Sequence, residues 1–342
     1  MARLLVLGVS LLVGVPAAGD VHVSRVGGGA ATAGKPLIMR LAVRPKSFSG
    51  RVQLNAIGPG RFQAPAHGRN GSYRARLVFP RTGAWTLTAR AGSTLSRLGS
   101  VRVRPAPLAF DQPTGVAVGP AGSLLVVEFG QRRLLRVDSA TGRAIQLAKL
   151  VKPWGVAVAP SGTAYVSDSG WLKRIDPGGT PQVVATADPG VEIGPVAVAP
   201  DGDVVYSTAS AVYRVVNGSG TPQRLAAGTA LSGPHGIAVA ADGSVLLSDT
   251  GNDVVRRIDP AGAVTVFAAV GNPRGIAVAR NGTVYVAVAH EQRVVRFSAA
   301  GQRLGAVGPR FDDVYALAVA PDGTVYGDDI GAGLIRRITP SP

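Results

Sequence analysis

Six copies of one motif fill residues 105–342 and constrain the fold of this 342-residue chain more than any other feature. The fourth copy reads "PHGIAVAADGSVLLSDTGNDVVRRID", and each copy places a glycine after a short polar turn. These hairpin glycines are Gly122, Gly162, Gly202, Gly243, Gly282 and Gly323, with spacings of 40, 40, 41, 39 and 41 residues. Self-similarity at such a period indicates repeated supersecondary units that stack on one another.

Each of the first five copies contains four predicted strands. In the fourth, "GIAVA" predicts an inner strand, and "ADG" a turn in which glycine supplies positive φ. "VLLSD", "VVRRID" and "VTVFA" then predict the second, third and outer strands. Four strands per copy make the blade of a β-propeller. The sixth copy stops at "RRITPSP" without a fourth strand, so we expect the segment "VRVRPAPLAF" to supply it and close the ring. The sequence predicts an all-β fold with a six-bladed propeller over residues 105–342.

The residues before the repeats predict two further segments. Short alternating apolar runs over residues 20–104, separated by turn residues, are typical of a small immunoglobulin-like β-sandwich, with Trp85 in its core. Residues 1–19, "MARLLVLGVSLLVGVPAAG", show the charged start, apolar run and small residues of a secretory signal. The chain contains no cysteine. From the signal-like segment we expect an exported protein, secreted or held in the cell envelope.

The net charge of +16 is concentrated in the first domain. From Asp20 to Arg104, 15 Lys and Arg face one acid, which gives +14; from Pro105 onward, 20 face 19, which gives +1. Such a field attracts polyanions, and for an exported protein these are envelope surfaces rather than nucleic acid. The sequence predicts an anionic partner for the first domain; an arginine-rich solubilising surface is the alternative.

The repeat pattern "P-x-G-[IV]-A-V-A-x-x-G-x-[VL]-[YL]-V-x-D-x-G" resembles NHL repeats. It is similar at the same level to the clan of six-bladed propellers that includes gluconolactonase and SMP-30-type lactonases, strictosidine-synthase-like proteins, streptogramin lyases and the peptidylglycine amidating lyase. The resemblance implies a propeller, but one propeller fold hosts binding proteins, hydrolases and lyases. "PHGIAV" at Pro234 is similar to the start of a streptogramin lyase blade.

We expect one variable position at the start of each inner strand to open on the central channel; in four of the six copies it lies between proline and glycine. We refer to it as the mouth slot. In blade order it holds Thr114, Trp154, Gly194, His235, Arg274 and Tyr315. We predict ligand contacts from Thr114, Trp154, His235, Arg274 and Tyr315. In a catalytic site, His235 suits a general base or metal ligand, Arg274 an anion clamp and Tyr315 an oxyanion donor. The alternative is that these are variable turn residues.

A second position, six residues after each hairpin glycine, is mostly acidic. This acidic slot holds Glu128, Asp168, Thr208, Asp249, Val288 and Asp329. An Asp before a small residue and glycine commonly caps its own turn. If the carboxylates of Glu128, Asp168, Asp249 and Asp329 instead meet in the channel, they suit calcium or magnesium.

The resemblance to known enzymes transfers only in part. In the lactonase relatives, a Glu, an Asn and an Asp bind the metal, largely in positions equivalent to the mouth slot, which here has no such residue. The amidating lyase uses three histidines for zinc, whereas this propeller has only His235 and His290. Strictosidine-synthase-like chemistry relies on a channel glutamate, for which Glu128 is the only candidate.

The sequence alone favours a non-catalytic module of the cell envelope, a monomer that binds a protein or small-molecule ligand at the propeller face. The alternative is a metal-dependent lactonase or a lyase at the mouth of the channel, with His235, Arg274, Tyr315 and Glu128 as catalytic candidates and a divalent cation (calcium, magnesium or zinc) as the possible cofactor.

Overall fold

A computed structural model describes residues 22–27, 31–32, 36–44, 46–48, 50–80, 83–104, 109–139, 142–226 and 231–338. The predicted signal segment lies outside these residues. The chain divides into two compact units, one made mainly of Met1–Ala106 and the other of Pro107–Ser139 with Arg143–Pro342. No helix among the described residues is long and apolar enough to cross a membrane.

The first unit contains eight strands in a single sheet, in the order β1-β3-β6-β5-β4-β7-β8-β2. The strands are His22–Gly27 (β1), Ala31–Thr32 (β2), Pro36–Arg44 (β3), Val52–Ile57 (β4), Arg61–Arg69 (β5), Ser72–Val78 (β6), Gly83–Ala91 (β7) and Thr94–Arg104 (β8). Strands β1 and β8 approach each other, so the sheet is barrel-like. The immunoglobulin-like assignment stays a prediction.

Alternate side chains of these strands form one core. In β3, Leu37, Met39, Leu41 and Val43 are buried while the residues between them face outward. Trp85 is fully buried and makes edge-to-face contacts with Phe62 and Phe79, with ring centroids 5.5 and 5.4 Å away. Trp85 is therefore a core residue, as its sequence position predicts.

The second unit is the predicted six-bladed propeller. Five four-stranded sheets and one three-stranded sheet follow each other along the chain. Blade one comprises Pro113–Val118 (β9), Leu124–Glu128 (β10), Arg133–Val137 (β11) and Ala144–Lys149 (β12); blade two, Pro153–Val158 (β13), Ala164–Asp168 (β14), Trp171–Ile175 (β15) and Pro181–Thr186 (β16); blade three, Val196–Val198 (β17), Val204–Ser207 (β18), Val212–Val215 (β19) and Gln223–Arg224 (β20). Blade four comprises Gly236–Val239 (β21), Val245–Asp249 (β22), Val254–Ile258 (β23) and Val264–Ala269 (β24); blade five, Pro273–Val278 (β25), Val284–Val288 (β26), Arg293–Phe297 (β27) and Arg303–Val307 (β28); blade six, Leu317–Val319 (β29), Val325–Asp329 (β30) and Leu334–Ile338 (β31).

Short 3₁₀ turns lie at Pro120–Gly122, Val216–Gly218, Thr250–Asn252 and Ala289–Glu291. The six hairpin glycines all have φ between 74° and 94°, a region that favours glycine. The turn chemistry read from the sequence is therefore the one that the hairpins use.

Each pair of neighbouring blades encloses its own apolar cluster, which explains why the repeats need one another. The cluster that joins blade six to blade one packs Ala318 and Tyr326 against Val116 and Val126. The predicted closing segment is only partly confirmed: its residues 101–104 belong to β8 of the first unit, so blade six has three strands among the described residues, and the segment joins this blade only at its end. Ala109 forms an antiparallel bridge with Leu334, and the Phe110 amide donates to the Gly333 carbonyl over 2.8 Å.

Candidate active site

In blades four and five, the inner strands of successive blades approach so closely that the residue after the mouth slot has no room for a side chain. A Cβ on Gly236 would lie 2.2 Å from the Arg274 carbonyl oxygen, and one on Gly275 would lie 2.6 Å from that of Tyr315. Real Cβ atoms do not come this close to backbone, so these glycines are required for the packing. The same approach brings the mouth slots of adjacent blades together around one axis.

Three rings from three different blades meet at this axis. The ring centroids of Trp154 and Tyr315 are 5.6 Å apart, those of His235 and Tyr315 5.7 Å, and those of Trp154 and His235 6.0 Å. Phe129 adds an edge-to-face contact with Trp154 at 6.5 Å. Separations of this size are typical of favourable aromatic pairs. The structure thus gathers three of the five predicted ligand contacts into an aromatic cluster.

Arg274 is held against this cluster. Its guanidinium carbon lies 4.0 Å from the ring centroid of Tyr315, in a cation–π contact. Its Nη1 donates to the Asp313 carboxylate over 2.6 Å, and its Nε donates to the Asn272 side-chain oxygen over 3.2 Å. Within the described part of the chain, Nη2 has no protein acceptor. The side chain is therefore fixed in place with one amino group left for a ligand.

His235 is partly buried among these groups. Its Nδ1 lies 3.0 Å from Thr250 Oγ1, and that hydroxyl donates its own proton to the Pro273 carbonyl over 2.6 Å. Because the hydroxyl then has only lone pairs to offer, we assign the proton of the neutral imidazole to Nδ1, which leaves Nε2 as the basic atom. Burial, and secondarily the charge of Arg274, lower the pKa of His235, against opposing effects of the Gly233 carbonyl and Asp313. The ring is therefore neutral at neutral pH.

An open cleft of about 510 Å³ begins at the aromatic cluster and runs over blades two to four. Trp154 and His235 form its inner wall, and Lys152, Glu192 and Thr208 add polar groups. This volume is typical of small-molecule sites, in which apolar walls and a few polar groups fix the orientation of the ligand.

Thr114 and Gly194 contribute less to the mouth. Thr114 is buried, and its hydroxyl has no hydrogen-bond partner among the described residues. Gly194 lines the cleft without a side chain. The structure shows no contact between Thr114 and the aromatic cluster, so its predicted ligand contact stays a prediction.

The four acidic-slot carboxylates do not meet in the channel. Each is buried within its own blade and bonded there to a loop amide about 17 residues earlier in the chain and to a basic side chain on the third strand. The pairs are Glu128 with the Asp111 amide and Arg133, Asp168 with the Val151 amide and Lys173, Asp249 with the Ser232 amide and Arg256, and Asp329 with the Asp312 amide and Arg336.

These carboxylates position the mouth. The loop held by Asp168 leads into Trp154, the loop held by Asp249 leads into His235, and the loop held by Asp329 leads into Tyr315. The "D-x-G" pattern predicts that the carboxylate caps its own turn. In the structure the carboxylate instead binds the loop that precedes the inner strand, because the pairing of the inner, second and third strands brings that loop over the end of the second strand.

No group of three or more His, Cys, Asp or Glu side chains within the described ranges is arranged to hold a metal ion. The predicted calcium, magnesium or zinc site therefore has no assembled set of ligands there. His290 is exposed in blade five and does not belong to the aromatic cluster.

Asp328 lies next to the acidic slot and is not among the site residues predicted from the sequence. It is fully buried, its Oδ1 accepts the backbone amides of Tyr315 and Ala316 over 2.7 and 2.8 Å, and its Oδ2 has no partner among the described residues. Burial raises the pKa of Asp328 to about 8, although the two amides lower it. The equivalent positions in the other blades are Val127, Ser167, Ser207, Ser248 and Ala287. The sequence signal that could have identified Asp328 is a carboxyl at a position where the other five blades have an uncharged side chain.

The comparisons with known proteins agree with this architecture. Residues 112–309 match the family described as "SMP-30/Gluconolactonase/LRE-like region", and the chain belongs to that family. No curated protein matches the sequence.

Three solved structures show the same fold at low sequence identity. A protein of unknown function from Bacteroides thetaiotaomicron VPI-5482 is 12% identical over 93% of this chain and 98% of its own, with a TM-score of 0.60. A gluconolactonase from Xanthomonas campestris is 18% identical over 75% of this chain and 90% of its own, at 0.59. A catalytically inactive histidine-to-alanine variant of virginiamycin B lyase from Staphylococcus aureus, with quinupristin, is 16% identical over 68% and 84%, at 0.54.

Proposed function

We propose that this protein is an enzyme that opens cyclic esters at the mouth of the propeller channel, with His235 as the general base. The observation that carries the proposal is the state of His235: a neutral imidazole with Nδ1 anchored on Thr250, packed among aromatic rings at the end of a cleft. Family membership and the gluconolactonase and lyase neighbours support an enzyme better than the non-catalytic binding module that the sequence alone favoured.

The chemistry follows from the groups at the mouth. Nε2 of His235 accepts a proton, either from an attacking water in hydrolysis or, in an elimination, from the carbon adjacent to the one that bears the leaving ester oxygen, where a carbon–carbon double bond forms as the C–O bond breaks. The free Nη2 of Arg274 is placed to stabilise the negative charge that develops on the ester or leaving oxygen, in a partly dry site where such a contact is strong. The faces of Trp154 and Tyr315 hold the apolar part of the substrate.

The residues at the mouth do not fit a catalytic divalent cation. The mouth slot has no carboxylate, Arg274 already places a positive charge there, and the carboxylates of the acidic slot are occupied by amides and basic side chains. A cation bound at the aromatic cluster would face the Arg274 guanidinium, and the Asp313 carboxylate beside it is already paired with that guanidinium. We therefore derive no step through a metal.

We expect His235→Gln to lower the rate of ring opening by about 10²–10⁴-fold, the usual contribution of a general base. Purified full-length protein is incubated with lactones such as glucono-δ-lactone and, separately, with quinupristin, and products are resolved by mass spectrometry. Hydrolysis adds one water to the substrate mass, whereas a ring-opening elimination leaves it unchanged.

The pH profile provides a second test of the base assignment. Because the pKa of His235 is lowered, the activity should reach half of its maximum at a pH below 6.5. At higher pH it should rise to its maximum and then stay constant.

The matched control is His290→Gln, which removes an exposed histidine from blade five and should retain full activity. Circular dichroism confirms that both variants are folded. Equal activity of His235→Gln and the unmodified protein would refute the base assignment. Failure of every substrate in the panel, or activity that a chelator abolishes, would contradict the metal-free ring opening proposed here.

A further inference from the structure

A positively charged surface lies on the first unit, on the outer side of strands β3 and β6. These strands pair antiparallel, with Arg40 directly opposite Arg74 and Ile38 directly opposite Arg76. The alternation that buries Leu37, Met39 and Leu41 turns the residues between them outward. We refer to this surface as the arginine face; it consists of Ile38, Arg40, Arg44, Arg74, Arg76 and Val78, all exposed.

No acidic side chain among the described residues pairs with the charges on the arginine face. Side chains directly opposite on an antiparallel pair stand about 5 Å apart at Cβ, and like charges so placed destabilise the sheet. No Asp or Glu occurs between residues 21 and 104. No member of the arginine face takes part in the ion pairs that join two described residues, whose basic partners are Arg133, Lys152, Lys173, Arg174, Arg214, Arg256, Arg257, Arg274, Arg303 and Arg336. An external anion is the partner that relieves this repulsion.

Apolar side chains on the same surface narrow the choice of anion. Ile38 is 51% exposed and Val78 is 39% exposed, although both lie in strands whose other faces are well packed. Arginine side chains lay their apolar stems along a surface while their charged ends reach phosphate groups. A surface that combines exposed apolar side chains with arginines is typical of proteins that bind the interface of an anionic bilayer.

We propose that the arginine face docks the protein onto a bilayer of anionic phospholipid, with Ile38 and Val78 entering the headgroup layer. The surface belongs to the first unit and is independent of the ring-opening chemistry, so either proposal can fail alone. The expected binding is reversible, because one charged patch and two apolar side chains provide far less affinity than an inserted helix.

The full chain is tested by sedimentation with vesicles of phosphatidylglycerol and phosphatidylcholine, and with vesicles of phosphatidylcholine alone. The variant Arg40→Gln/Arg74→Gln/Arg76→Gln should reduce the partition coefficient about 100-fold, since each basic residue near such a surface contributes about fivefold. Rising salt should release the unmodified protein from the vesicles, because the Debye length shrinks from about 10 Å at 0.1 M to about 3 Å at 1 M.

The control variant Arg61→Gln/Arg90→Gln/Arg97→Gln removes the same charge from exposed positions on β5, β7 and β8. It should retain binding to within a few fold. An equal loss in both triple variants would mean that net charge alone acts and would overturn the arginine face. Equal binding to neutral vesicles would overturn the electrostatic contact. Binding to soluble polyphosphate as tight as to vesicles, unchanged by Ile38→Ser/Val78→Ser, would replace the bilayer with an anionic polymer.

Discussion

Replacing Asp168 with alanine should destabilise the propeller by about 3–5 kcal/mol, because it leaves one buried charge and two buried amides without their partner. The Asp168 carboxylate is fully buried and accepts the Val151 amide over 2.9 Å, the Lys152 amide over 2.6 Å and the Lys173 ammonium over 2.6 Å. Lys173 is itself only 15% exposed, so water replaces little of what is lost.

Urea unfolding, followed by far-ultraviolet circular dichroism, measures this change. The control is Glu192→Ala, which removes a carboxylate from the neighbouring ion pair with Lys152, where both side chains are at least half exposed. That substitution should cost about 1 kcal/mol or less. A comparable loss of unfolding free energy in the two variants would show that the contacts of Asp168 with the loop amides and with Lys173 do not stabilise the propeller.

Asp168→Asn provides an intermediate case. Its side-chain oxygen still accepts a loop amide, whereas the charge that balances Lys173 is gone. We expect a loss of stability between those of the other two variants. We also expect weaker ring opening, because the loop that Asp168 holds leads directly into Trp154.

The propeller could be predicted from the sequence because each of its determinants is local. The hairpin glycines, the alanine-rich inner strands and the strand lengths repeat in every copy, and a ring of such units buries its apolar faces only against itself. The mouth was predictable for the same reason. Residues at one position of a closed ring must share one face, so Trp154, His235, Arg274 and Tyr315 meet although they are up to 161 residues apart.

The features that sequence reasoning missed depend on contacts between distant segments. Strand β5 has few apolar residues and contains Pro65 and Gly68, so its pattern does not resemble a strand, yet it pairs with both β4 and β6. The partners of Asp168 and Asp249 lie in loops well upstream, and no spacing rule points to them. The register of the inner, second and third strands of each blade determines which loop amide and which basic side chain reach the carboxylate.

Asp328 shows the same limit within a repeat. The sequence reveals that a carboxyl replaces a small residue, but only the packing reveals that one oxygen is bonded to the amides of Tyr315 and Ala316 while the other is enclosed. Asp328 accepts the backbone amide of Tyr315, so it is linked to the mouth through the main chain. We regard it as a positioning residue for Tyr315 rather than as a group that touches the substrate.

Asp328→Asn should therefore stabilise the protein increasingly as pH rises. The pKa of Asp328 is about 8 in the folded chain against about 3.9 when unfolded, so between these values the unfolded state has released a proton that the folded state retains. Stability contributed by the protonated carboxyl is complete below about pH 4 and is lost as pH rises toward 8. Asparagine keeps the acceptor for Tyr315 and Ala316 and does not titrate. Its advantage over aspartate should grow by an amount on the order of 4 kcal/mol between pH 5 and pH 8.

Urea unfolding of both proteins at pH 5, 6.5 and 8 tests this expectation. The control is Asp322→Asn in the hairpin of the same blade, where hydrogen bonds from Thr324 lower the pKa of an exposed carboxyl. Because the pKa of Asp322 is lowered in the folded state from an unfolded value of about 3.9, the carboxyl is almost fully ionised in both states at pH 5 and above, so its substitution should shift stability about equally at all three pH values. If the effect of Asp328→Asn is likewise constant with pH, Asp328 is charged in the folded protein. Its enclosed oxygen must then have a cationic or hydrogen-bonding partner that the described residues do not supply.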